Sequence, residues 1–136
     1  MTIALDTNVL IDLLRGHSLL VRQRFVQETI RGRSLIISLI VFHELQYGLE
    51  VSPRATAHRT QLDFLLKDFS IEPLTEDDVS AAARVRAQLR QPGKGIGPYD
   101  ALIAGQALSR GWTLVTANTR EFERVQGLSL EDWSRP

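Results

Sequence analysis

The sequence predicts an α/β fold: three layers, with a mainly parallel sheet of about five strands and helices on both faces. Three observations predict it. Short, uninterrupted apolar runs recur along the chain, as strands buried on both sides of a parallel sheet require. Stretches with helical periodicity separate one run from the next. The 136 residues are 43% hydrophobic, enough for a self-sufficient core. With no repeat, low-complexity tract or linker, residues 1–136 read as a single domain.

The first strand is Ile3-Ala4-Leu5, and a short helix over Asn8 to Leu14 follows it, closed by Gly16. Ser18 caps a longer helix whose apolar face is Val21, Phe25, Val26 and Ile30, ending at Gly32. Leu35-Ile36-Ile37 is the second strand. Ser38 then caps a helix from Leu39 to Leu49 with Phe42, Leu45 and Leu49 on its inner side. Ser52-Pro53 opens the next helix, with proline at the first helical position, and it runs through Leu62, Leu65 and Leu66. Ser70-Ile71-Glu72 is a brief third strand.

Thr75-Glu76-Asp77-Asp78 has the form of a capping box, and Val79, Ala82, Val85 and Leu89 carry the helix behind it. Gln91 to Gly97, with three glycines and a proline, is a loop. Pro98 starts a helix whose Ala101, Ala104, Gly105 and Ala107 permit close packing, and Gly111 stops it. Thr113-Leu114-Val115 and Leu128-Ser129-Leu130 complete the strands. Trp112, Phe122 and Trp133 read as core residues, and Asp12 as a solvent-facing residue at the end of the first helix.

Composition excludes several classes of function. The absence of cysteine removes disulfide frameworks, thiolate chemistry and Cys-based zinc sites, and suits a reducing cytosol. The longest apolar run, Leu35 to Phe42, is too short to cross a bilayer. No basic segment with an apolar stretch behind it opens the chain, so no signal peptide or membrane association is expected. The formal net charge is zero, with fourteen arginines against Lys67 and Lys94.

The candidate chemistry lies in acids placed where strands end. Asp6 follows the first strand directly, and ligands of open α/β sheets gather at the carboxyl edge. Glu44 lies on the helix after the second strand, beside the buried stripe. Asp100 stands in the first turn of the helix opened by Pro98. After the fourth strand, Thr116 and Asn118 offer oxygen ligands, and Glu121 follows one turn on. Each has a plainer role available, as a helix cap, a dipole partner or a solvated side chain. Gathered in one cleft, however, carboxylates raise one another's pKa unless a cation neutralises them. Oxygen-only donors point to Mg²⁺ or Mn²⁺, which can activate water for attack on a phosphodiester. Without Asp6, Glu44, Asp100 and Glu121, sixteen basic residues face twelve acidic ones, a balance suited to a polyanionic substrate.

Leu5-Asp6-Thr7-Asn8-Val9-Leu10, Ser38 with Glu44-Leu45 and Gly48, Ile96-Gly97-Pro98-Tyr99-Asp100-Ala101-Leu102-Ile103-Ala104, and Leu114-Val115-Thr116 with Asn118 and Arg120-Glu121-Phe122 follow one another along the chain, and their order and spacing together are specific. In these, and in Gly127-Leu128 to Glu131-Asp132-Trp133, the chain resembles PIN-domain ribonucleases, and within them the VapC-type toxins of toxin–antitoxin pairs. The resemblance implies a PIN fold and Mg²⁺- or Mn²⁺-dependent endonucleolytic cleavage of RNA, with tRNA or another structured RNA as the expected substrate. It also implies a homodimer and a heteromeric, inactive complex with a cognate VapB-type antitoxin. By position, Asp6, Glu44 and Asp100 become the metal-site carboxylates. Glu121 is the nearest acid to the fourth position, where Asn118 stands, and Thr7 and Thr116 support the site.

Three rivals remain against this reading. His43-Glu44-Leu45-Gln46-Tyr47 resembles a zinc-peptidase helix, but Tyr47 occupies the place of the second histidine. A phosphatase of the haloacid-dehalogenase type would need a second Asp where Asn8 stands. A non-catalytic PIN-like module binding RNA or protein has less use for the acids at positions 6, 44 and 100.

Overall fold

The structure is a computed structural model that describes all residues from Met1 to Pro136. Its elements run β1 (Thr2–Leu5), α1 (Thr7–Arg15), α2 (Leu19–Ile30), β2 (Ser34–Ser38), α3 (Leu39–Glu50), α4 (Ala55–Leu66), β3 (Ser70–Glu72), α5 (Glu76–Gln88), α6 (Pro98–Arg110), β4 (Thr113–Val115), α7 (Thr119–Phe122) and β5 (Ser129–Glu131). The five strands form one parallel sheet in the order β3-β2-β1-β4-β5. β1 is central, with Ala4 paired to Ile36 on one side and Leu114 on the other. Crossovers between parallel strands are right-handed, so the connections running toward β3 and those running back toward β5 cover opposite faces. This places α1 to α4 on one face and α5 to α7 on the other.

Order is reversed once, between β1 and β4. The chain steps outward from β1 through β2 to β3, then returns to lay β4 on β1's free side. That is the topological switch point, and the crevice at its carboxyl edge is where such sheets hold ligands. Ile3, Leu5, Ile37, Leu114 and Val115 are at most 1% exposed, so the strands flanking the crevice are anchored in the core. Phe122 and Trp133 are buried as expected, and Trp112 packs half-buried against the same core.

The capping box forms as the sequence predicts. Thr75 Oγ1 accepts from the Asp78 amide, and Asp78 Oδ2 accepts from the Thr75 amide at 2.8 Å. Gly105 is where α5 and α6 meet most closely. A Cβ there would stand 2.4 Å from the Ala82 backbone nitrogen, so only glycine fits. Gly111 ends α6 with φ +68°, the left-handed cap that glycine adopts without strain.

Four expectations about packing are corrected. In α2, Val21 is buried and Phe25 half-buried, but Val26 is 47% and Ile30 79% exposed. The inner face there is held by Glu28, buried among the guanidinium groups of Arg24, Arg31 and Arg33, so an ion cluster replaces part of the apolar stripe. Pro53 does not start α4. Arg54 has φ −121° and ψ 45°, outside the helical region, and Ser52 Oγ accepts from the Arg54 amide at 3.1 Å in a turn, so the helix begins at Ala55. Asp12 is only partly exposed, because its carboxylate accepts from the Ser18 amide and ties α1 to α2. Val79 also turns outward, with Ala81, Ala82 and Val85 forming the inner face of α5.

Candidate active site

The site is built at the switch point. β1 ends at Leu5, and the Asp6 amide continues the sheet by donating to the Val115 carbonyl at 2.9 Å. Asp6 is therefore held beside the end of β4, with only 4% of it exposed. Burial would make an unpaired carboxylate costly, and it is supplied with donors accordingly. Thr116 Oγ1 donates to Oδ2 at 2.8 Å, Asn8 Nδ2 donates to the same oxygen at 3.2 Å, and the Thr7 amide donates to Oδ1 at 2.9 Å. The last contact makes Asp6 the N-cap of α1, so the plain and the functional readings of Asp6 describe one geometry. Desolvation still dominates and raises the Asp6 pKa above 3.8, with Glu44 adding to the rise and the hydrogen bonds opposing it.

Glu44 reaches the same space from α3. Its Oε1 accepts from Thr7 Oγ1 at 2.9 Å, so Thr7 links the first and second acids by backbone and side chain together. Asp100 enters from the first turn of α6, which begins with Pro98 at the first helical position. Its pKa is pushed up to about 7, first by burial, then by the charges of Glu121, Asp6 and Glu44 and by a hydrogen bond its acid form makes to Glu121. A carboxyl in a helix's first turn ordinarily gains from the dipole. Here the neighbouring acids outweigh that gain.

Glu121 stands on α7, where Oε1 accepts from the Gly97 amide at 3.4 Å and Oε2 from Asn118 Nδ2 at 2.9 Å. Asn118 thus makes no side-chain cap of α7. Its amide orients the Glu121 carboxylate. Thr116, fully buried, accepts from the Asn118 amide at 3.0 Å while donating to Asp6. Asn8, expected at the start of the first helix, ties the end of β1 to the segment after β4, its side chain donating to Asp6 and accepting from the Ala117 amide at 3.2 Å. A polar residue two places after a buried acid was the available signal.

Asp6, Glu44, Asp100 and Glu121 therefore face a common space, close enough for each of the others to act on Asp100. As placed, no group of three or more Asp, Glu or His side chains could hold a metal ion. Protein donors hold three of the four carboxylates instead. The donor chemistry still fits Mg²⁺ or Mn²⁺: every group is a hard oxygen donor, and the mutual repulsion favours a cation. Mg²⁺ commonly keeps several waters and takes only one or two protein carboxylates directly.

A PIN-domain family model matches residues 3–128. The chain is 36% identical over 130 residues to the tRNA(fMet)-specific endonuclease VapC of Shigella flexneri, covering 96% of each chain. Among solved structures it is similar to VapBC2 from Rickettsia felis bound to a DNA fragment from its promoter. That match has a TM-score of 0.90 at 32% identity and covers 98% of this chain and 99% of the other. It is also similar to DNA-bound VapBC from Salmonella typhimurium, with a TM-score of 0.88, 34% identity and 98% of both chains covered.

Proposed function

Because this chain belongs to the PIN-domain family, we propose that it is an endoribonuclease toxin that cleaves RNA phosphodiester bonds and is neutralised by a VapB-type antitoxin. We read residues 1–136 as one PIN domain acting in the cytoplasm, and no helix is long and apolar enough to cross a membrane. One observation carries the reading. Four carboxylates on α3, α6, α7 and the end of β1 converge on the switch point, and their charges with burial lift Asp100 to about 7.

Asp6, Glu44 and Asp100 would surround Mg²⁺ or Mn²⁺, one or two of them bonding it directly and the rest, with Glu121, reaching it through its waters. When bound, the cation would neutralise charge on the phosphodiester and lower the pKa of an attacking water. The chain's own residues divide the remaining work. Thr116, Asn8 and the Thr7 amide keep the Asp6 carboxylate fixed and ionised against desolvation. Thr7 Oγ1 fixes Glu44, and Asn118 with the Gly97 amide fixes Glu121. Asp100, whose carboxyl the neighbouring acids hold up in the metal-free chain, would be ionised by the cation and help orient its waters.

The VapBC complexes among the relatives support the partner reading, a VapB-type protein that binds the toxin, and we propose in addition that the toxin is a homodimer. A basic side chain from the antitoxin set among these acids would satisfy their charge and shut the site. Expression of the chain alone should arrest growth with loss of specific RNAs, and coexpression of the antitoxin should restore growth. Purified complex should be inactive until the antitoxin is removed. Growth unaffected by the free chain, with full-length RNA throughout, would refute the toxin reading, and a monomer on light scattering at micromolar concentration would refute the dimer.

A further inference from the structure

We propose that Tyr99 and His43 form a base-binding corner beside the acids, which takes an unpaired nucleobase next to the phosphate to be cut. Each residue immediately precedes an acid of the site, Tyr99 before Asp100 on α6 and His43 before Glu44 on α3. The two rings meet across the gap between those helices. Their centroids are 5.5 Å apart with planes at 77°, and Tyr99 Oη lies 3.4 Å from His43 Nε2.

Neither ring is spent on the core. Both residues are exposed, Tyr99 by 49%, although a tyrosine's apolar ring is usually better buried. Two rings at nearly a right angle present one face and one edge to the same space. A base stacked on the tyrosine would meet the imidazole at its edge, where a ring nitrogen can hydrogen-bond it. The corner is held by its helices: Pro98 fixes the start of α6, and Tyr47, 63% exposed and one turn on from His43, lengthens the aromatic surface along α3. Aromatic rings that accept base faces regardless of sequence are the usual platform for single-stranded nucleic acid. A duplex, with its bases already stacked, could not use this one.

The inference rests on the ribonuclease reading above and deepens it to RNA unpaired at the cut. The experiment uses the full chain with Mn²⁺ and an eight-nucleotide single-stranded RNA of mixed sequence carrying 2-aminopurine, beside its duplex. Tyr99→Ala should raise KM for the single strand roughly tenfold with kcat within about twofold, whereas Tyr99→Phe and Tyr99→Trp should stay near wild type. An unchanged KM in Tyr99→Ala, whatever happens to kcat, would overturn the proposal. So would a dimer that dissociates in Tyr99→Ala while KM holds, since the ring would then belong to the contact between copies. If the wild-type chain cuts no RNA, the ribonuclease reading fails, and 2-aminopurine fluorescence decides the corner separately. Quenching by wild type that Tyr99→Ala loses supports it. Equal quenching by both, or none by wild type, overturns it.

Discussion

Thr116 Oγ1 donates to Asp6 Oδ2 at 2.8 Å, with both residues buried, across 110 positions of sequence. The bond joins the ends of the two strands that flank the switch point, so the first acid's orientation depends on β4 as much as on β1. Thr116→Val keeps the shape and removes the donor. It should destabilise the chain by about 1–3 kcal/mol, the cost of leaving a buried charged acceptor short of a partner, and should reduce cleavage. Thr116→Ser should retain both. Thermal unfolding and cleavage rate on the two variants check this.

The raised acids predict an unusual pH profile for the metal-free protein. Above about pH 7, Asp100 is ionised in both folded and unfolded chains, and the repulsion is fully felt. As the pH falls through about 7, the folded carboxyl takes up a proton that the unfolded one, at 3.8, does not, so stability rises. Asp6, raised in the same direction, adds to it. Between pH 8 and pH 5 the gain should be roughly 1–2 kcal/mol, less than the full shift because a half-exposed carboxylate is screened. Asp100→Asn should unfold at higher temperature than wild type at pH 8 and show a flatter profile. Calorimetry in a chelating buffer measures both.

Asp78 behaves oppositely. Burial pushes its carboxyl up, but the Arg110 guanidinium, contacting it at 2.8 and 3.1 Å, and the Thr75 backbone together hold it below 3.8. Its contribution is present above pH 3.8 and is lost as the pH falls through its lower folded value. Arg110→Ala leaves a buried carboxylate without its guanidinium and should cost about 3–5 kcal/mol. Denaturant unfolding at pH 7 tests this, and a loss under 1 kcal/mol would contradict it.

Much of this arrangement was legible because it follows from local rules. Uninterrupted apolar triplets marked the strands, and Thr75 to Asp78 and Pro98 marked two helix starts. Asp6, directly beyond the end of β1, marked the crevice. What was not legible depends on distant partners. Glu28 is buried among Arg24, Arg31 and Arg33, three partners whose convergence no local pattern announces, and Val26 and Ile30 are left outside the expected face. Asn8 declares its role only through a group more than a hundred positions away, whereas Asn118 meets Glu121 three positions on, a local pair. Pro53 satisfied the rule for a helix start, but the Ser52 turn won locally.

The amide of Asn118 on Glu121 separates two readings of the fourth position. As a cap of α7, Asn118 would cost about 0.5–2 kcal/mol when replaced by alanine. No cap hydrogen bond exists, and the side chain instead steadies Glu121. Asn118→Ala should therefore change stability by less than about 0.5 kcal/mol while raising the Mn²⁺ concentration for half-maximal cleavage. Glu121→Gln should raise it further. An unchanged metal response in both variants would remove Glu121 from the site.

The central claim is that the acids at the switch point cut RNA with a divalent cation. It is tested most directly by incubating the free chain with a total RNA pool, with and without Mn²⁺ or Mg²⁺, beside Asp6→Asn. Discrete fragments should appear only with metal and only from wild type, while Asp6→Asn remains folded and at least as heat-stable. Cleavage that persists under chelation, or that Asp6→Asn carries out at the wild-type rate, would contradict the account.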